Sequence, residues 1–172
     1  MRTLTVIIDM QNDFITGALP AAGGEEIVGK IANYIKEHPT DDYIYTLDTH
    51  YENYFETQEG KKLPVKHCIR GTEGWQMVKD IRNVLPRNAT GYEKSHFGSV
   101  ALAQYVAAKG FDRVNLVGVC TDICVISNAM LIKSYARDNT EIYVLSDMCA
   151  GVTAESHENA LAAMKMCQIN IE

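Results

Sequence analysis

Hydrophobic positions along the chain fall into two alternating patterns. Short runs rich in β-branched and aliphatic residues, at Leu4–Ile8, Tyr43–Leu47, Ala89–Tyr92, Arg113–Val117, Glu141–Leu145 and Gln168–Ile171, read as six strands. Between them, apolar residues recur every three or four positions over Glu25–Glu37, Gly74–Arg82, Ser99–Lys109, Asp122–Arg137 and Ala154–Met166, which predicts helices. Gly110 and Asn139 supply natural stops. Strand–helix alternation of this kind predicts an α/β domain of three layers, a six-stranded, mostly parallel sheet with helices on both faces and right-handed crossovers. Two stretches break the alternation and are too long for simple connections: Phe14–Gly24 and Tyr51–Gly74. Long loops in a compact α/β domain are commonly functional.

The bulk properties narrow the picture without deciding it. At 172 residues and 47% hydrophobic, the chain suits one domain spanning 1–172 with a single well-buried core. A net charge of −6 with no basic run argues against a nucleic-acid or anionic-membrane partner. No apolar stretch is long enough to span a membrane, and Asp9 interrupts the first apolar run too early for a signal-peptide core, so a cytoplasmic protein is expected. Five cysteines at irregular spacing (Cys68, Cys120, Cys124, Cys149, Cys167) do not make a disulfide framework. No glycine-rich phosphate loop follows any predicted strand, which removes the dinucleotide-binding reading.

The chemistry is concentrated at predicted strand ends. Cys124 opens a predicted helix directly after the apolar run ending in Val119, where unpaired N–H groups and the helix dipole can lower a thiol pKa and hold an oxyanion. Asp9 ends the first strand and Lys94 follows the third, so an acid, a lysine and a cysteine meet at the carboxyl edge where open α/β sheets bind ligands. A second set begins at Asp48-Thr49-His50, whose first and third side chains point to the same face of an extended chain. Glu56, Glu59 and His67 follow in the long loop, and carboxylate plus imidazole ligands suit zinc, iron or manganese. Cys68, beside His67, ranks below these as a soft ligand.

Five segments together carry a family resemblance: Val6-Ile-Ile-Asp-Met-Gln-Asn-Asp-Phe14, Asp48-Thr-His50, His67-Cys-Ile-Arg-Gly-Thr72, Lys94-Ser-His-Phe-Gly-Ser99 and Gly118-Val-Cys-Thr-Asp-Ile-Cys-Val125. Over nearly its whole length the chain resembles the isochorismatase-like cysteine hydrolases, and within them the nicotinamidase/pyrazinamidase branch. The resemblance implies a Rossmann-like hydrolase fold, a catalytic triad of Asp9, Lys94 and Cys124, a cis peptide at Val119–Cys120, and an oxyanion hole made by the backbone N–H groups of Cys120 and Cys124. It also implies one divalent metal ion, zinc first with iron or manganese as alternatives, on Asp48, His50 and His67. The fourth family ligand is a histidine or a glutamate. With no histidine between His50 and His67, Glu59 takes that place and Glu56 is the reserve. The family tryptophan just before the second histidine is absent, its place falling near Pro64 or Val65. Phe14 and Leu19 become walls for a flat aromatic ring. The implied activity is hydrolysis of nicotinamide and related pyridine or pyrazine carboxamides to the acid and ammonia through a thioester, within NAD salvage. The alternative is a metal-free relative acting on another small amide, a carbamoyl group or an enol ether. Small members of this fold also self-associate, so a homo-oligomer is an expected state.

Overall fold

The computed structural model describes all residues, 1–172. Six strands, β1 (Thr3–Ile8), β2 (Asp42–Asp48), β3 (Thr90–Lys94), β4 (Arg113–Val119), β5 (Glu141–Ala150) and β6 (Asn170–Ile171), form one sheet in the order β3-β2-β1-β4-β5-β6. Every neighbouring pair is parallel, so the expected mostly parallel sheet is wholly so. Parallel strands need long crossovers, and helices supply them on both faces. The helices α5 (Val100–Lys109), α6 (Ile126–Tyr135) and α7 (Ala154–Met166) cover one face, burying Leu102, Val106, Ile132 and Met164 against Leu4, Val6, Val114 and Leu116. The opposite face carries α1 (Asn12–Ile15), α2 (Gly24–Glu37) and α4 (Lys79–Val84), whose Ile15, Ile27, Ile31 and Ile81 pack with Ile7 and Val117. β1 and β4, at the centre, are apolar toward both faces. No helix is long and apolar enough to cross a membrane, and all five cysteines are free.

Three elements differ from the sequence pattern. Residues 74–77 do not join the predicted helix Gly74–Arg82, because their backbone is taken by the β1–α1 turn: Asn12 and Asp13 donate to Gln76 and Gly74 carbonyls at 2.9 and 3.0 Å. Only Lys79–Val84 stays helical. The predicted helix Asp122–Arg137 starts instead as a wide π turn over Thr121–Val125 and becomes α-helical only at Ile126. The long loop Tyr51–Gly74 contains a 3-10 turn (Tyr54–Glu56) and the short helix α3 (Gln58–Lys62), capped by Thr57, whose side chain accepts from Gly60 N at 3.0 Å. Amphipathic periodicity cannot reveal helices of three to five residues.

Gly118 sits where a side chain on β4 would meet the backbone of β1. It pairs with Ile8 across β1 and β4 at φ 118°, and a Cβ there would stand 2.1 Å from the Ile8 carbonyl oxygen. A backbone atom in a central strand cannot yield. Gly118→Ala is therefore expected to destabilise the fold by about 3 kcal/mol or more. Chemical denaturation with an unchanged midpoint would contradict this packing.

Candidate active site

The carboxyl ends of β1, β2, β3 and β4 bring one lysine into contact with three partners. Lys94, last residue of β3, pairs in register with Asp48, last residue of β2. Its Nζ lies 2.6 Å from Asp9 Oδ2, 3.5 Å from Cys124 Sγ and 3.6 Å from Asp48 Oδ1. Asp9, Lys94 and Cys124 are all buried, Asp9 completely.

Asp9 follows β1 at φ 48°, a left-handed conformation that aspartate tolerates better than most residues. Thr46 of β2 fixes it twice, donating from Oγ1 to Asp9 Oδ1 at 2.6 Å and accepting from Asp9 N at 3.2 Å. The second carboxylate oxygen is met by the Lys94 ammonium at 2.6 Å, which compensates its burial. Burial raises the Asp9 pKa, with Lys94 opposing and Asp48 reinforcing the rise. For Lys94, burial opposes the charge, but the neighbouring negative groups, Asp9 foremost and Asp48 with it, outweigh burial and raise the pKa, so the ammonium persists at neutral pH.

Cys124 departs from the sequence expectation. Burial, reinforced by the neighbouring Asp9 carboxylate, pushes its thiol well above the ordinary range, more than Lys94 pulls it down. The resting sulfur is a thiol beside a carboxylate, an arrangement suited to proton transfer on demand. The Val119–Cys120 peptide is cis, as the resemblance implied. Within the π turn, the Cys120 carbonyl accepts at 3.0 Å from both Ile123 N and Val125 N, the residues flanking Cys124. π turns recur at functional sites because they displace one residue from the regular ladder.

Side chains that sequence reasoning did not single out tie this turn to its surroundings. Asn128 Nδ2 donates to Cys124 O at 2.8 Å and Phe97 O at 3.1 Å, while its Oδ1 accepts from Ser99 N at 3.0 Å. It thereby joins the loop after Lys94 to the turn carrying Cys124. Thr121 Oγ1 lies 2.8 Å from His157 Nδ1 of α7, and Asp122 Oδ1 accepts from Val152 N at 3.1 Å. No local pattern marks such residues, since each is defined by a distant partner.

Asp48, His50, Glu59 and His67 offer ligand atoms that all lie within 4.8 Å of one another. His50 Nε2 is 3.0 Å and His67 Nε2 3.4 Å from Asp48 Oδ2, and each is 3.6 Å from Glu59 Oε1. His67 Nδ1 faces Val65 O at 2.8 Å; donating its proton there leaves the Nε2 lone pair to face the carboxylates. Tyr54 packs edge-on against both imidazoles, with centroids 4.9 and 5.2 Å away. Two imidazoles and two carboxylates converging on one point fit a divalent metal ion. Glu59 is part of this group, whereas Glu56 is solvent-exposed. Cys68 lies outside it, fully buried, with its thiol pushed far up by burial. Burial disfavours the charged form of His67, but Asp48 and the Val65 carbonyl outweigh it and raise the pKa above the usual histidine value.

A cavity of about 480 Å³ opens beside the four-residue cluster, with His50 and Glu59 in its wall. Its apolar lining is Tyr51, Leu63 and Phe97, all exposed, and its polar lining includes Gln58, Lys62, Ser95 and His96. Of the expected ring walls, Phe14 stacks at a tilt on His67 with centroids 5.6 Å apart, and Leu19 packs on the α2 side of the core. Neither lines this cavity.

Comparison with known proteins agrees with this architecture. The Isochorismatase domain model matches residues 3–171. A nicotinamidase/pyrazinamidase of Mycobacterium tuberculosis is 29% identical over 188 residues, covering 99% of this chain and 98% of its own. The crystal structure of the pyrazinamidase of Pyrococcus horikoshii in complex with zinc superimposes with a TM-score of 0.86 at 30% identity, covering 100% of this chain and 99% of that one. The structure of PnC1 from L. infantum in complex with nicotinate shares the fold, with a TM-score of 0.84 at 23% identity over 99% and 92% of the two chains. The chain, matched from its first strand to its last, belongs to the isochorismatase family.

Proposed function

We propose that the protein is a metal-dependent cysteine amidohydrolase that converts nicotinamide, and related pyridine and pyrazine carboxamides, to the acid and ammonia. The observation that carries this reading is the buried contact of Lys94 with Asp9, Cys124 and Asp48, which joins a nucleophile, a base and a metal-ligand cluster. The M. tuberculosis and P. horikoshii relatives support the substrate class. The cavity beside His50 and Glu59, with Tyr51, Leu63 and Phe97 in its wall, offers apolar surface next to the ligand cluster for a flat ring. An enzyme of this kind recycles the nicotinamide released from NAD in the cytoplasm.

In the mechanism, Asp9 accepts the Cys124 proton as the sulfur attacks the carboxamide carbon, and the charged Lys94 stabilises the thiolate as it forms. The raised Asp9 pKa makes this carboxylate a stronger base than an exposed aspartate, which favours its taking the thiol proton. The N–H groups of Cys120 and Cys124 hold the developing oxyanion, an effect worth about 3–4 kcal/mol per donor. Asp9 then gives its proton to the departing ammonia. With the thioester formed, Asp9 activates the water that releases the acid and regenerates the thiol. Asp48, His50, Glu59 and His67 would hold a divalent ion, zinc first among the candidates, which when bound orients the ring through its nitrogen or a coordinated water.

Replacing Cys124 with Ala is expected to reduce ammonia release from nicotinamide by about a thousandfold or more. Cys120→Ala should keep most of the rate, because alanine preserves the backbone N–H. Near-normal turnover by the Cys124 variant would overturn the nucleophile assignment. Asp9→Asn should suppress thioester formation, and adding it to Cys124→Ala should cost little beyond the larger single loss. Multiplying losses would show that the two residues act on separate steps. Protons and metal compete for His67, so metal affinity is full above its raised pKa and falls as pH drops through it. In a chelator competition run from alkaline to acid pH, weakening should begin above the ordinary histidine value of 6.5. Affinity that stays flat well below that value would contradict this ligand assignment. Full nicotinamidase activity in excess chelator would favour the metal-free alternative.

A further inference from the structure

Thr49 stands between the ligands Asp48 and His50, and consecutive side chains of an extended chain point to opposite faces. Its hydroxyl is therefore directed away from the ligand cluster, where it is 3% exposed and has two defined partners. Oγ1 donates to Leu47 O at 2.9 Å and accepts from Trp75 Nε1 at 3.0 Å. An indole N–H can only donate, so the roles at this hydroxyl are fixed without ambiguity. Gln11 adds a second tether between the same two segments. Its Nε2 donates to both Asp48 O and Trp75 O at 2.9 Å, and its Oε1 accepts from Asp48 N at 2.8 Å. The indole is itself held from outside by the Arg70 guanidinium, 5.8 Å from the ring centroid and paired with Glu93.

From these contacts we infer that Trp75 is a positioning residue for the metal-ligand segment, acting through the hydroxyl of Thr49; this inference rests on the metal reading of the preceding subsection. Backbone bonds from Thr49 N to Lys94 O at 2.8 Å and from His50 N to Cys68 O at 3.0 Å fix the path of this segment, and the side-chain bonds of Thr49 and Gln11 add to them by fixing the orientation in which Asp48 and His50 leave it. A ligand pair is useful only if both donor atoms are presented together, and outer partners that fix such a pair typically carry 10- to 100-fold in metal affinity. The Trp75–Thr49 bond and the Gln11 bridge hold this segment through atoms that are not metal ligands. The residue has no counterpart in the motif set of the sequence analysis. The family tryptophan expected near His67 is absent, and the indole at position 75 serves the opposite face of the ligand strand.

Zinc affinity measured by competition with a chromogenic chelator tests this on the full chain. Trp75→Phe keeps the ring and removes the N–H, and should weaken zinc binding about tenfold. Thr49→Val should do the same, and the double variant should lose no more than the larger single loss, because both break one bond. Trp75 is also the only tryptophan in the chain, so its emission should change when zinc is added to the wild type and respond less in Thr49→Val. Unchanged zinc affinity in Trp75→Phe, with or without a lower melting temperature of the stripped protein, would overturn the inference while leaving the metal site standing. Should Trp75→Phe not fold, normal affinity and a normal emission change in Thr49→Val would overturn it equally. A wild type that binds no zinc would remove the metal reading and this inference with it.

Discussion

One buried ammonium holds the site together. The side chain of Lys94 is only 3% exposed, yet it faces two carboxylates and a thiol. Without it, Asp9 would be an unpaired negative group in the interior, a condition that costs several kcal/mol and is relieved only by protonation or unfolding, and Asp48 would keep only the two imidazoles on its other oxygen. With it, Asp9 is available as a base, and Asp48 is free to turn its other oxygen toward His50 and His67. The nucleophilic and metal-ligating halves are thus a single electrostatic unit with Lys94 at the junction.

Strand register is what delivers that lysine. β3 pairs with β2 so that Thr90 lies opposite Ile44 and Lys94 opposite Asp48. A slip of one residue would move the side chain to the other face of the sheet and separate it from Asp9. Because the sheet is parallel throughout, the ends of β1, β2, β3 and β4 all reach the same edge, which gathers the acid, the lysine and the first metal ligands, and the π turn after β4 adds the cysteine. The long loop after β2 completes the cluster: α3 carries Glu59, and the chain returns beside β2 through the pairing of His50 with Ile69, which brings His67 alongside.

Much of this was legible because the fold and the chemistry share a period. Alternating strand and helix signals marked the six-stranded parallel sheet and its carboxyl edge, and polar residues at the ends of apolar runs marked Asp9, Asp48 and Lys94. Other features depended on tertiary contacts that local sequence does not encode. Residues 74–77 have helical spacing but spend their backbone groups on the β1–α1 turn. The thiol of Cys124 stands at a helix entrance, where the dipole favours its ionised form, but burial wins. Asn128, His157 and Trp75 act on residues 26 to 36 positions away in sequence, and only folding identifies these partners. The cavity walls Tyr51, Leu63 and Phe97 were hidden for a related reason: they are exposed loop residues whose grouping is set by the path of the chain.

The claim on which the functional account turns is that Cys124 carries the acyl group between amide and acid. Acid-quenched turnover of nicotinamide, analysed by intact mass and peptide mapping, examines it directly. The account predicts a nicotinoyl adduct on the peptide containing Cys124 at early times, absent before substrate is added and gone once substrate is exhausted. Steady ammonia release with no adduct on Cys124 at any time, or with the adduct on another residue, would contradict it.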